Sequence, residues 1–221
     1  MKLKLKLVGP NIYCIVASNY RLLAQTFVRI QEFYESPFKQ IRGKHFTLSF
    51  FKKLYSKDRG YFSYYEDWAG FNVPGHVVID FFNTFVDLSP KEKCLKKLLQ
   101  KALMSNEKFY VIGIPKRSHQ DVFSHELAHA FYYTSIKFKR MMMHVTRKLS
   151  LKIKRQIFAK LKEIGYNGSV RFDELQAYMA TTKIKHLIDY FGYGIRLSHV
   201  EPFRKVFSKF KYDNLPTLQL T

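Results

Sequence analysis

His125-Glu126-Leu127-Ala128-His129 is the stretch on which the reading of this chain turns. At about 100° per residue, positions i and i+4 of a helix lie on one face, so both imidazoles can reach a single metal ion. Glu126 follows the first imidazole and can point along the open side of that ion, where it would take a proton from water. The flanks favour a helix, opening near Ser118 to Asp121, because Val122, Phe123, Leu127, Ala128 and Phe131 supply apolar surface. Small Ala128 and Ala130 let other elements approach closely. The competing reading is two histidines on a helix surface with a solvated glutamate between them.

A tetrahedral catalytic zinc site needs three protein ligands and one open position. The extended pattern HExxHxxGxxH is excluded as the source of the third, since Tyr132 and Ser135 stand at its Gly and His positions. The candidate is Glu174, in Phe172-Asp173-Glu174-Leu175-Gln176-Ala177-Tyr178, 45 positions beyond His129. Asp173, His144 and His186 compete with it. A carboxylate at a helix start is also favoured by the helix dipole alone, with no metal involved.

A HExxH helix followed by a separate glutamate helix resembles the gluzincin metallopeptidases, and the resemblance covers about residues 109 to 180. It implies an α+β, zincin-like fold, a Zn2+ ion on His125, His129 and Glu174, and hydrolysis of a peptide or protein substrate with Glu126 as general base. It also implies that strand 109–114 lines the cleft and pairs with extended substrate. The chain departs from thermolysin-like members, in which an acid four residues after the glutamate ligand often supports a histidine. That place is Tyr178 here. Tyr178 is instead the first candidate for stabilising the tetrahedral oxyanion, one turn after Glu174 on the same helical face. A core tyrosine is its plain alternative, and Tyr132, His144, Tyr166 and His199 follow it as candidates. Asp121 and Asp173 are the candidates to orient the two histidines.

Working outward, the chain reads as one domain over 1–221, with a strand and helix part over 1–115 and a helical part over 116–221. Lys2 to Val8 and Ile12 to Val16 have strand character around Gly9-Pro10. Ser18 or Asn19 caps a helix from about Tyr20 to Tyr34, ended by Ser36-Pro37, and Thr47 caps another through Tyr55. Residues 58 to 76 read as a long loop rich in Gly and aromatics, either a cleft wall or an aromatic mini-core. Ser89-Pro90 opens a helix to about Leu103. Phe109 to Ile114 is a strand ending at Pro115. Basic helices occupy about 136 to 164, and the Met141-Met142-Met143 run within them reads as flexible packing. Asn167-Gly168 makes a turn, and Asp173 caps a last long helix from Glu174 to about Tyr190. Strands early and helices late give the α+β class.

Composition sets the outer limits. The 221 residues are 47% hydrophobic and 25% charged, enough for one sizeable core. No apolar run reaches the roughly 18 residues that a membrane-spanning helix needs. The N-terminus alternates Lys and apolar residues and carries no signal-peptide pattern, which points to a cytoplasmic location, with non-classical export left open. Cys14 and Cys94 sit in apolar patterns and read as buried free thiols. The formal charge is +21, with 27 Lys against 11 Arg. From Lys137 to Lys162 ten basic residues occur with no acid among them. That stretch motivates the alternative function, a polyanion- or nucleic-acid-binding protein with a structural or degenerate metal site, although no zinc-finger, RRM, KH or Walker pattern accompanies it.

Overall fold

The opening Lys-Leu alternation forms a strand, β1 (Leu3–Gly9), which turns at Asn11 and pairs antiparallel with β2 (Ile12–Ala17). Asn11 has φ 57°, a left-handed position that Asn tolerates better than most residues. The structure is a computed structural model that describes residues 2–57, 60–105, 107–164, 166, 168 and 170–215. Asn167 of the expected turn, and residues 58 and 59 of the expected loop, lie outside the described residues. The class is mixed α and β, mostly helical, with one four-stranded sheet among the described residues. No helix among the described residues is long and apolar enough to cross a membrane. Two compact units divide the chain, Met1–Val122 and Phe123–Thr221.

In the first unit the sheet order is β1-β2-β4-β3, where β3 is Phe71–Pro74 and β4 is Tyr110–Pro115. β4 runs parallel to β2 and antiparallel to β3, so it is hydrogen-bonded on both sides. This runs against the expectation for 109–114 over Tyr110–Gly113, where β3 already takes the edge a substrate would pair with. All six β4 residues are buried, as expected of a strand covered on both faces. Gly113 in β4 is required by close approach of helix α1 (Tyr20–Glu35): a Cβ there would lie 2.8 Å from the Phe27 ring and 3.1 Å from Leu23.

The aromatic segment expected as a loop contains α3 (Tyr64–Asp67) and β3. Its rings build a mini-core, with Phe51 edge-on to Tyr64 at 5.3 Å and Phe27 stacked on Phe71 at 5.4 Å. Helix α2 (Leu48–Ser56) starts at Thr47 and α1 at Asn19, both with side-chain caps. Helix α4 (Gly75–Thr84), which the sequence did not signal, follows β3 directly. Ser89 and Glu92 form a capping box on α5 (Pro90–Leu98), which breaks at Leu99 before a short α6 (Gln100–Leu103). Buried Arg29 of α1 holds Glu92 through Nε and Nη2, at 2.8 and 2.6 Å, and Asp87 at 3.0 Å. Both cysteines are free thiols, Cys14 buried and Cys94 half-buried. Burial pushes the Cys14 thiol up to about 12.

Helix α7 (Gln120–Thr134) carries the HExxH stretch from the unit boundary into the second unit. After it come α8 (Ile136–Lys148), α9 (Leu151–Glu163), α10 (Arg171–Thr181), α11 (Ile184–Phe191) and α12 (Leu197–Asn214). Phe131 of α7 meets Phe138 of α8 and Phe210 of α12 at 5.4 and 5.0 Å, giving this unit its own aromatic core. Met142 is buried there, in line with the packing role expected of the methionines. The single helix expected over 174–190 is two helices. The chain leaves the helical region at Thr182, whose carbonyl accepts a hydrogen bond from Arg204 of α12. Asp173 does not cap it: the N-cap position is Val170, and Asp173 sits inside the first turn.

Candidate metal centre

α7 and α10 are joined by a buried polar link, the Gln176 amide donating to the Ala128 carbonyl at 3.3 Å. Around that link α7 buries Phe123, Leu127, Ala128 and Phe131, and α10 buries Leu175, Ala177 and Met179. The apolar spacing therefore fixes which polar side chains meet. They are His125, Glu126 and His129 from one helix and Asp173, Glu174 and Tyr178 from the other.

The His125 and His129 rings lie 4.9 Å apart, nearly perpendicular, with their Nε2 atoms 3.2 Å from each other. Glu174 brings Oε2 to 3.8 Å from His125 Nε2 and Oε1 to 3.6 Å from His129 Nε2. Among the described residues these three are the group of His, Cys, Asp or Glu side chains whose ligand atoms converge, all within 4.8 Å of one another. His129 is 2% exposed, Glu174 7% and Glu126 8%. Two nitrogens bound to zinc at 2.0–2.1 Å in a tetrahedron stand roughly 3.3–3.4 Å apart. The observed nitrogen pair matches that edge, and the carboxylate needs to close by only a few tenths of an ångström. Two imidazoles and one carboxylate are also a donor set that suits zinc. The residues present fit the ion.

The ring nitrogens that face away from the cluster have partners of their own. His129 Nδ1 is 2.9 Å from Asp173 Oδ1, and His125 Nδ1 is 3.4 Å from Thr181 Oγ1. Of the two orienting candidates, Asp173 lies against His129, and Asp121 is exposed in the first turn of α7. Support for a histidine thus comes from the residue before Glu174 rather than from four residues after it. Thr181 and Gln176 were not foreseen, since neither residue type signals a metal centre by itself.

The two histidines differ electrically. Burial, then the neighbouring His129 charge, holds His125 well below the ordinary imidazole range. Burial also works against a charged His129, but Asp173, Glu174 and Glu126 outweigh it and push its pKa up to about 10. The proton on His129 then sits between Nε2 atoms that a cation would share. Tyr178 packs edge-on against His125 at 4.9 Å, and the Tyr166 side chain hydrogen-bonds its hydroxyl. Burial and the Glu174 charge push the Tyr178 phenol up to about 12, so it keeps its proton and remains a donor.

The remaining candidates are not among the three converging ligands, although the Asp173 charge, after burial, helps push the Tyr132 phenol up to about 12. His144 and His186 are exposed on α8 and α11, and His186 lies 3.8 Å from Asp189 of its own helix. His199 accepts from the Arg196 backbone N–H at the start of α12. The Tyr132 hydroxyl donates to Met143 Sδ at 3.3 Å. No family model, no curated protein and no solved structure matches this chain, so the donor set and its geometry carry the functional reading.

Proposed function

We propose that this chain is a zinc-dependent metallopeptidase of gluzincin type, with a zincin-like arrangement of the active-site helix and the glutamate helix. The observation that carries the reading is the convergence of two Nε2 atoms and one carboxylate from 45 residues away, with Glu126 on the same buried turn. Held by His125, His129 and Glu174, zinc would supply a Lewis acid for the scissile carbonyl and make water acidic enough to ionise near neutral pH. Glu126 takes the proton of the attacking water and returns it to the leaving amine. Its charge is felt at both His129 and Tyr178, which supports a place for the carboxylate close to the cluster. Tyr178, kept protonated, donates to the oxyanion. Asp173 keeps His129 presenting Nε2 rather than Nδ1.

The test is Glu126→Gln on a peptide library, with zinc content measured in parallel. Zinc retained and cleavage lost is the expected pair of results. Cleavage equal to wild type sinks the assignment.

One observation favours a second reading. The ten basic side chains from Lys137 to Lys162 are exposed on α8 and α9, apart from half-buried Lys154. A polyanion or nucleic-acid contact through this surface would weaken steeply with salt and be indifferent to Glu126→Gln.

A further inference from the structure

Gln176 is a fully buried polar residue at the centre of this site to which the proposed chemistry gives no task. Its Nε2 donates to Asp173 Oδ1 at 2.9 Å and to the Ala128 carbonyl at 3.3 Å. The same Asp173 oxygen stands 2.9 Å from His129 Nδ1. Its Oε1, also buried, has no hydrogen-bond partner among the described residues. A buried amide that satisfies only its NH2 end stabilises a fold less than an apolar side chain of the same size. Stability alone would place Met or Leu at 176.

We propose that Gln176 is a positioning residue of the metal centre, acting on His129 through Asp173. A carboxylate that meets only the imidazole can rotate and carry the ring with it. A second donor to the same oxygen removes that freedom. The amide's other contact is the carbonyl one residue before His129, so the carboxylate is referenced to the backbone turn that carries the ligand. Gln176 thus links the helix that supplies Glu174 to the helix that supplies the histidines, at the atom that fixes the His129 tautomer. This inference rests on the metal-centre reading above.

The test is a double-mutant cycle on zinc affinity, measured on the full chain against a chromophoric chelator. It uses wild type, Gln176→Met, Asp173→Ala and the double variant. Gln176→Met keeps the volume and loses both hydrogen bonds. It should bind zinc about tenfold more weakly, at the low end for outer partners of a metal ligand. Its metal-free unfolding midpoint should equal or exceed that of wild type. Cobalt(II) substituted into the site should show altered visible bands, which a purely structural role would not produce. In the Asp173→Ala background the same change should cost less than twofold, because the effect passes through Asp173. Wild-type affinity in Gln176→Met overturns the proposal, and so does an equal loss in both backgrounds. If Gln176→Met and Gln176→Leu both fail to fold without metal, Gln176 is structural and the proposal is overturned. Wild-type protein that takes up no stoichiometric zinc removes the metal-centre reading itself, a failure distinct from the others.

Discussion

Titrating the metal-free protein through neutral and alkaline pH gives a sharp test of how the cluster is wired. His129 Nδ1 donates to Asp173 Oδ1 at 2.9 Å, and its Nε2 faces His125 Nε2 at 3.2 Å and Glu174 at 3.6 Å. Its folded pKa of about 10 lies above the ordinary imidazole value of 6.5, whereas His125 is shifted down. The stability this proton provides is therefore fully present below pH 6.5 and is lost as pH rises through about 10. Asp173→Asn replaces a charge-assisted hydrogen bond, worth about 1.5–3 kcal/mol, by a neutral one worth about 0.5–1.5 kcal/mol. The difference of roughly 1–1.5 kcal/mol corresponds to a fall of about one pH unit in the His129 midpoint. Proton–carbon NMR of the histidine rings reads both midpoints directly. A His129 midpoint near 6.5 in wild type, or one that does not move in Asp173→Asn, refutes the reasoning. Zinc must displace the same proton, so its affinity should rise with pH up to about 10.

Three further outcomes are expected. His129→Ala and Glu174→Ala should each lose stoichiometric zinc while keeping wild-type circular dichroism, and unchanged zinc in Glu174→Ala would remove that residue from the site. Arg29→Met leaves Glu92, 2% exposed, without its counter-charge, and should lower stability by about 3–5 kcal/mol in urea unfolding. A loss below about 1 kcal/mol would mean the pair is not buried as described. Gly113→Ala drives a methyl group to within 2.8 Å of the Phe27 ring and should cost about 1–3 kcal/mol by the same assay.

What could be read from sequence was what depends on local spacing. The i, i+4 imidazoles, the Asn19, Thr47 and Ser89 caps and the Lys-Leu strand all state their geometry within a few residues. Glu174 was legible as an acid at a helix start. Asp173 was misread as a cap, because Asp before a helical run is a capping signal. It was also a candidate partner for the histidines, but spacing could not choose between it and Asp121, and the position of His129 shows the contact. The interior place of β4 was not legible, since it depends on β3, a four-residue strand ending in proline inside an aromatic segment. Helix α4 was hidden by Gly75, where a Cβ would lie 2.6 Å from the Phe109 carbonyl. Helix α12 was hidden by Pro202, a breaker signal that the helix accommodates. The break after Thr181 is a tertiary event, fixed by Arg204 on a later helix.

X-ray absorption at the zinc edge, on protein loaded with one equivalent of zinc, addresses the central claim most directly. Two imidazole nitrogens with oxygen neighbours at about 2.0–2.2 Å, and no sulfur, is the predicted shell. A shell with a single imidazole, a sulfur scatterer at about 2.3 Å, or zinc that washes out of the wild-type protein would contradict it.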